Sequence, residues 1–202
     1  MDTISVIGLG YIGLPTALSL AVNGNPVIGT DYNKEVVDEL TNGSIHFTEE
    51  GLQELYEDAV KSEIKFTTNY CQANIYIIAV PTPYEKSNKK VDATYVINAV
   101  KEVLNVCKDE SIIVIESTIS PGTIDKYIRP LIIDRKVHLA HAPERIIPGN
   151  MIKELKNNSR TIGADSVVVA ERVKQLYSTF CKGTIVTVSY THLRAHETRG
   201  NL

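Results

Sequence analysis

The chain opens on Thr3-Ile-Ser-Val-Ile-Gly-Leu-Gly-Tyr-Ile-Gly13, an apolar run that leads directly into three closely spaced glycines. A helix-compatible stretch follows, and a second apolar run, Pro26-Val-Ile-Gly-Thr30, ends in Asp31. This order of strand, glycine turn, helix, strand and acidic residue is the dinucleotide-binding fingerprint. The stretch therefore predicts the first half of a nucleotide-binding α/β domain.

Each glycine of the turn has its own physical role. Gly8 allows the tight turn, Gly10 lets the backbone approach a pyrophosphate, and Gly13 lets the helix pack close to the strand. The N-terminus of the helix presents free N–H groups and the positive end of its dipole to the phosphates. A glycine turn without a ligand is the alternative, and the acid that follows favours the nucleotide site.

The position of Asp31 indicates which cofactor binds. Its carboxylate can accept hydrogen bonds from the ribose 2′- and 3′-hydroxyls of NAD. The 2′-phosphate of NADP would instead be repelled by about 4 kcal/mol per charge pair at roughly 4 Å and an effective dielectric of about 20. Tyr32 follows directly, and Lys34 is the first base beyond it. We therefore expect NAD to be preferred over NADP.

Composition narrows the class of protein. The net charge of -3 gives no reason to expect nucleic acid or an anionic membrane as a partner. No apolar run approaches the roughly 20 residues of a membrane span, and no basic leader precedes the first strand, so we expect a cytoplasmic protein. Cys71, Cys107 and Cys181 are widely spaced and fit reduced thiols better than a disulfide framework.

Strand and helix patterns alternate along the chain, which predicts an α/β fold with a doubly wound, mostly parallel sheet. Continuous apolar runs such as Ile75–Val80 and Ser111–Ile115 suit central strands that are buried on both faces. The predicted strands cover residues 3–8, 26–30, 63–67, 74–80, 111–115, 136–140, 159–163 and 183–187. The predicted helices cover residues 11–23, 33–41, 50–60, 92–106, 122–134, 151–157 and 166–180.

The end of the chain departs from this alternation. We interpret residues 1–187 as one nucleotide-binding domain and residues 188–202 as a non-native tail, because Val188 to Arg199 resembles the translation of a sequencing adapter. A native exposed tail is the alternative. We expect no metal site, since His138 and His141 would point to opposite faces of a strand.

Four polar or glycine-rich segments follow predicted strands, where the ligands of open α/β sheets bind. Each alone could be ordinary loop sequence, but four on one edge indicate a site. They are the glycine turn, Val80-Pro-Thr-Pro83, Glu116-Ser-Thr118 and Ala142-Pro-Glu-Arg-Ile-Ile-Pro-Gly149.

Together these segments resemble the nucleotide-sugar 6-dehydrogenases of the UDP-glucose/GDP-mannose dehydrogenase family, over residues 1–187. Ile7 to Thr16 and Glu50-Gly-Leu52 are also typical of that family. Pro143 to Gly149 is similar to the branch that acts on N-acetylated sugars, whereas UDP-glucose enzymes usually carry Pro-Glu-Phe-Leu there. Within this branch the resemblance favours UDP-N-acetyl-D-mannosamine as substrate; UDP-N-acetylglucosamine and UDP-glucose stay as alternatives.

The resemblance implies a four-electron oxidation of the sugar C6 hydroxymethyl group to a carboxylate, with two NAD reduced. A cysteine thiolate would capture the intermediate aldehyde as a thiohemiacetal, which becomes a thioester before hydrolysis. It further implies residue roles, with Glu144 as the acid/base group and Arg145 and Ile146 on the UDP-sugar. A surface ion pair is the alternative for Glu144 and Arg145. The NAD contacts implied, besides the three glycines, are Tyr11, Ile12, Asp31, Thr82 and Thr118.

The resemblance also sets limits. The family's cysteine nucleophile, its lysine and its UDP-sugar domain lie beyond the first domain, so we expect this chain to be inactive alone. The family's central dimerisation helix also lies beyond it, and we expect the full-length protein to be a homodimer. Cys181 lacks the glycine context of the nucleophile. A non-catalytic NAD-binding module and another class of NAD enzyme are the remaining alternatives; hydroxy-acid dehydrogenases lack the two proline-containing segments.

Overall fold

The structure, a computed structural model, describes residues 2–85, 90–144 and 146–189. Its strands are β1 (Ile4–Ile7), β2 (Val27–Thr30), β3 (Lys65–Thr67), β4 (Ile75–Ile78), β5 (Tyr84–Glu85), β6 (Lys90–Val91), β7 (Ile112–Ile115), β8 (His138–His141), β9 (Arg160–Ala164) and β10 (Ile185–Ser189). Its α-helices are α1 (Gly13–Val22), α2 (Lys34–Thr41), α3 (Leu52–Lys61), α4 (Thr94–Val106), α5 (Arg129–Ile132), α6 (Met151–Asn157) and α7 (Val167–Tyr177).

Eight strands form one sheet in the order β10-β9-β8-β7-β4-β1-β2-β3. Six neighbouring strands, β8, β7, β4, β1, β2 and β3, run parallel, which confirms the predicted mostly parallel sheet. Chain order reverses between β1 and β4, so the loops after these two strands flank a crevice at the carboxyl edge of the sheet. This is the switch point at which doubly wound sheets bind ligands.

One pair of strands breaks the parallel pattern. Strand β9 runs antiparallel to β8, with Ala140 opposite Ala164 and His141 opposite Gly163, and β10 runs parallel to β9. The amino end of β9 therefore lies beside the carboxyl end of β8. Arg160, the first residue of β9, comes to the ligand-binding edge by this reversal.

The core lies on both faces of the sheet, as the doubly wound fold requires. Along β4 successive side chains alternate between faces, so Ile77 packs in one apolar cluster and Ile78 in the other. Helices α1, α3 and α7 cover the first face, and α4 covers the second. Both faces of the central strands are buried, which explains their continuous apolar sequences.

Two local elements differ from the prediction. The predicted helix 122–134 is a π-helical turn over Ile124–Ile128 followed by the short α5. Pro130 has no N–H to donate to the Lys126 carbonyl, so the regular ladder cannot continue through it. The antiparallel pairing of β5 with β6 is not among the predicted strands.

At the end of the described chain β10 continues to Ser189, two residues past the predicted domain boundary. Residues 190–202 of the predicted tail, with His192 and His196, lie outside the described residues. Among the described residues, the helices are all too short or too polar to cross a membrane.

Candidate active site

A cleft of about 710 Å³ opens at the switch point, within the size range of cofactor sites. Segments that are distant in the sequence meet in it, because each follows a parallel strand at the same edge. The predicted site residues that line it are Gly8, Gly10, Tyr11, Ile12, Asp31, Thr82, Thr118 and Glu144.

The glycines of the first turn meet different surroundings. Gly8 has a φ of +88°, and a Cβ there would lie 2.8 Å from the Ala79 carbonyl oxygen. A Cβ on Gly13 would lie 1.8 Å from the Gly8 carbonyl oxygen, so only glycine allows α1 to begin so close to the turn. A Cβ on Gly10 would meet nothing within 4 Å. The space beside Gly10 is thus open to a ligand.

Helix α1 begins next to the open space at Gly10, and no side chain caps its N-terminus. Its N-cap residue is Ile12, whose side chain cannot accept a hydrogen bond, whereas Asn33 and Ser166 cap α2 and α7 with their side chains. The first N–H groups of a helix lack intrahelical partners. Gly10, Tyr11 and Ile12, directly before α1, line the cleft, so the positive dipole end of this helix lies beside it and suits a phosphate.

Asp31 is nine-tenths buried at the end of β2, where it holds the turn in place. Its Oδ2 accepts a hydrogen bond from the Leu9 backbone N–H at 2.7 Å, and its Oδ1 accepts one from the Asn33 N–H at 2.9 Å. Each carboxylate oxygen retains a further lone pair. Asp31 can therefore both fix the glycine turn and accept hydrogen bonds from a ribose in the cleft.

Tyr11 connects the glycine turn to a distant loop through Glu49. The Tyr11 hydroxyl donates a short hydrogen bond to Glu49 Oε2. The same carboxylate accepts from the backbone N–H of Gly149 at 3.1 Å and from that of Met151 at 3.0 Å. We name this group of four residues the Glu49 bridge. It joins the turn that follows β1 to the loop that follows β8.

The hydrogen bonds of the bridge change the acidity of its two side chains. Accepting the Tyr11 hydrogen bond, and then those of Met151 and Gly149, lowers the pKa of Glu49 below its usual value. The hydrogen bond to Glu49, with burial and the negative charge adding to it, raises the pKa of Tyr11. At neutral pH the bridge therefore holds an ionised Glu49 and a neutral Tyr11.

The middle of the cleft is formed by the two loops that follow β4 and β7. Ser117 joins them, because its hydroxyl donates to the Val80 carbonyl at 2.7 Å. Thr82 and Thr118 both line the cleft, where Thr82 is half-buried and Thr118 is exposed. Both hydroxyls are available to a ligand lying across the switch point.

The inner end of the cleft carries an ion cluster, which we define as Glu116, Glu144, Arg160 and Tyr177. Arg160 Nη1 donates to Glu116 Oε1 at 3.0 Å, and Arg160 Nη2 forms a short ion pair with Glu144. The side chains of Glu116, Glu144 and Arg160 are 0%, 4% and 2% exposed. Glu144 therefore belongs to a buried ion cluster.

Burial governs the protonation of this cluster. Burial raises the pKa of Glu116; the charge of Arg160 opposes this rise and that of Glu144 adds to it. Burial also raises the pKa of Tyr177, and the charge of Glu116 adds to that rise. Burial acts to lower the pKa of Arg160, but the charges of Glu116, Tyr177 and Glu144 outweigh it, and the net shift is upward. The cluster thus holds a permanent cation between two carboxyl groups.

Of the two residues expected to contact the UDP-sugar, the structure describes only Ile146. Arg145 lies outside the described residues. Ile146 is half-buried and packs partly against the first apolar cluster. Their contact with a sugar stays a prediction.

Sequence reasoning missed Glu49, Arg160 and Tyr177. Glu49 precedes the typical Glu50-Gly-Leu52 segment, but the sequence does not show that it reaches a loop about a hundred residues away. Arg160 opens a strand that the sequence indicated to be parallel, which would place it at the opposite edge. An arginine inside a predicted strand was the available signal, because a charge that is buried there requires a partner.

The site fits a dinucleotide cofactor: an open space at Gly10, an uncapped helix N-terminus and a buried carboxylate at the end of β2 lie in one cleft. Fold and site define the NAD-binding domain of a Rossmann-type dehydrogenase. A family model described as the UDP-glucose/GDP-mannose dehydrogenase family, NAD binding domain, matches residues 2–181. The chain belongs to this family, and the expectation of NAD as cofactor is confirmed.

Two relatives show the extent of the sequence similarity. The chain is 44% identical to a UDP-N-acetyl-D-mannosamine dehydrogenase of Methanococcus maripaludis, over 91% of this chain and 44% of the relative. It is 36% identical to the enzyme of that name from Escherichia coli K12, over 93% of this chain and 48% of the relative. The chain thus spans about half the length of these relatives.

Solved structures show the same relation. The UDP-N-acetyl-mannosamine dehydrogenase Cap5O from Staphylococcus aureus superposes with a TM-score of 0.92 at 35% identity, over 98% of this chain and 50% of that one. The UDP-D-ManNAc dehydrogenase from Pyrococcus horikoshii gives a TM-score of 0.89 at 35% identity, over 98% of this chain and 50% of that one.

Proposed function

We propose that this chain is the NAD-binding half of a dehydrogenase that oxidises the C6 hydroxymethyl group of UDP-N-acetyl-D-mannosamine to the carboxylate. The observation that carries the proposal is the single cleft, in which Asp31 lies at the cofactor end and Glu144 at the inner end. The names of the relatives support the choice of sugar. A cytoplasmic location and a homodimeric full-length protein belong to the same proposal, since the family resemblance implies them.

Each element of the cleft has a proposed part in holding the cofactor. The turn from Gly8 to Gly13, with Tyr11 and Ile12, would bind the pyrophosphate, and Asp31 would accept hydrogen bonds from the ribose hydroxyls. Thr82 and Thr118 would contact the nicotinamide half. When bound, NAD supplies the two-electron oxidant for the sugar alcohol.

The proposed substrate side begins at Glu144. Its carboxylate would take up the proton of the C6 hydroxyl group, through a water molecule, as the alcohol is oxidised. Arg145 and Ile146 would contact the UDP-sugar, the arginine through its planar donors. The group that captures the aldehyde is expected in the second half of the family's proteins, so this chain alone should bind NAD without sustained turnover.

Calorimetric titration of the chain with NAD and NADP tests the cofactor end. NAD should bind at least about tenfold more tightly, because Asp31 repels the 2′-phosphate. Asp31→Asn should weaken NAD binding and narrow the difference, while the matched variant Asp38→Asn, at an exposed carboxylate on α2, should change neither. Equal affinities for NAD and NADP in the parent chain would contradict the role of Asp31.

A chimaera tests the substrate. Residues 2–187 would be joined to the second half of the M. maripaludis relative, and NADH formation would be followed by absorbance. Sustained NADH formation with UDP-N-acetyl-D-mannosamine, and much less with UDP-glucose, is the expected result. A folded chimaera that binds NAD but oxidises neither sugar would overturn the proposed function.

A further inference from the structure

The ion cluster at the inner end of the cleft has an arrangement that binding alone does not require. Glu116 and Glu144 line the cleft, whereas Arg160 is not among the described residues that line it. Arg160 therefore lies behind the two carboxyl groups and contacts both of them. A group in this place can act on a ligand only through the side chains in front of it.

Arg160 is itself held rigidly. Its guanidinium carbon lies 4.4 Å from the centroid of the Tyr177 ring and 5.7 Å from that of Phe180. The Tyr177 hydroxyl also donates to Glu116 Oε1 at 3.1 Å, so the ring that stacks on the guanidinium fixes the first carboxyl group as well. A planar guanidinium between aromatic rings has one orientation, which a lysine ammonium cannot reproduce.

The four chain segments of the cluster meet only through the fold. Glu116 follows β7, Glu144 follows β8, and Arg160 opens the antiparallel β9, while Tyr177 ends α7. Two carboxyl groups share one guanidinium, with their side chains almost fully buried. Buried ion pairs of this kind seldom stabilise a fold relative to apolar residues of similar size. Their presence on a cleft wall therefore indicates a role in the site.

We propose that Arg160 is a positioning residue, whose guanidinium fixes the orientation of the Glu144 carboxylate at the inner end of the cleft. This inference rests on the proposed function, in which Glu144 takes up the proton of the substrate. Arg160 Nη2 occupies one side of the carboxylate, and Arg160 Nη1 is anchored on Glu116. A reacting group displaced by about 1 Å can lose roughly 100-fold in rate, so orientation is the property that Arg160 supplies.

The test uses the active chimaera and the variant Arg160→Lys, with Arg172→Lys as the matched control. Arg172 forms a half-exposed ion pair with Asp2 at 2.8 Å, away from the cleft. Arg160→Lys should lower kcat by roughly 10- to 100-fold, with the KM for NAD and the melting temperature nearly unchanged. Arg172→Lys should match the parent in all three quantities.

The pH profile separates positioning from a structural role. The cluster has four charged or titratable groups: Glu116 directly after β7, Glu144 in the loop after β8, Arg160 at the start of β9 and Tyr177 at the end of α7. An ammonium can face only one carboxyl group closely, so the other favours its protonated form. The acidic limb of the kcat profile should therefore move to higher pH in Arg160→Lys.

Tyr177→Phe keeps the test decisive if Arg160→Lys fails to fold. It removes only the hydrogen bond to Glu116 and should give a smaller loss of kcat, with the KM for NAD unchanged. A folded Arg160→Lys variant with the kcat and pH profile of the parent would overturn the positioning role. Where Arg160→Lys is unfolded, a Tyr177→Phe variant with the kcat of the parent would overturn it. Loss of kcat only in proportion to the folded fraction would overturn it too. An inactive parent chimaera would instead contradict the proposed function.

Discussion

Gly10 and Gly13 are three positions apart in the glycine turn, yet a methyl group would meet very different surroundings at the two. At Gly13 it would lie 1.8 Å from the Gly8 carbonyl oxygen, and at Gly10 it would meet nothing within 4 Å. The fold therefore requires glycine at position 13, whereas the open space at Gly10 is available to a ligand. This difference allows the two roles to be separated by experiment.

Gly10→Ala should leave the melting temperature of the chain nearly unchanged and weaken NAD binding by about tenfold or more, because the added methyl group occupies the space for the pyrophosphate. Gly13→Ala should lower the free energy of unfolding by several kcal/mol, about the cost of an overpacked core position. Calorimetric NAD titration and thermal unfolding measure the two effects. Full NAD affinity in Gly10→Ala would show that the open space is not the phosphate site.

At the scale of elements, the Glu49 bridge joins the turn that follows β1 to the loop that follows β8, through a carboxylate about a hundred residues from that loop. Accepted hydrogen bonds lower the pKa of Glu49 below its ordinary value of 4.5. A lowered pKa means that the bridge contributes fully above pH 4.5 and that its contribution is lost as the pH falls through the lowered value.

Amide hydrogen exchange can follow this loss at one residue. The Met151 N–H, corrected for its intrinsic exchange rate, should lose protection as the pH falls through the lowered pKa of Glu49. In Glu49→Ala the protection should be low at every pH, and Tyr11→Phe should have a smaller effect because it removes only one of three hydrogen bonds. Protection that does not change with pH in the parent would contradict the bridge.

Comparison of the elements shows which features could be predicted from the sequence. The turn around Gly10 and the acid at Asp31 were predictable because their chemistry depends on neighbours within one βαβ unit. The direction of β9 was not, since long-range packing decides whether a strand runs parallel or antiparallel. The sequence around Arg160 indicated at most that this charge requires a partner, and only the direction of β9 places it at the ligand edge. The contacts of Glu49 depend on loop folding in the same way.

For the molecule as a whole, one sheet separates two apolar clusters, and both must form together. Ile77 and Ile78 are fully buried on opposite faces of β4. Ile77→Ala and Ile78→Ala should each lower the free energy of unfolding by about 2–5 kcal/mol, whereas Ile133→Ala, at a side chain 80% exposed, should change it by less than about 0.5 kcal/mol. Urea unfolding followed by far-UV circular dichroism and by tyrosine fluorescence should give coincident transitions. Separate transitions for the two probes would show that the faces unfold independently.

The buried ion cluster also affects how stable the domain can be. Arg160→Met alone should destabilise the chain by about 3–5 kcal/mol, because two carboxyl groups lose their shared cation in a dry interior. Adding Glu116→Leu, Glu144→Met and Tyr177→Phe should recover that loss or exceed the parent's unfolding free energy, as measured in urea, while NAD still binds. A quadruple variant as unstable as Arg160→Met would contradict this expectation. If the expectation holds, selection for heat resistance and selection for the proposed dehydrogenase activity would favour different residues at these four positions.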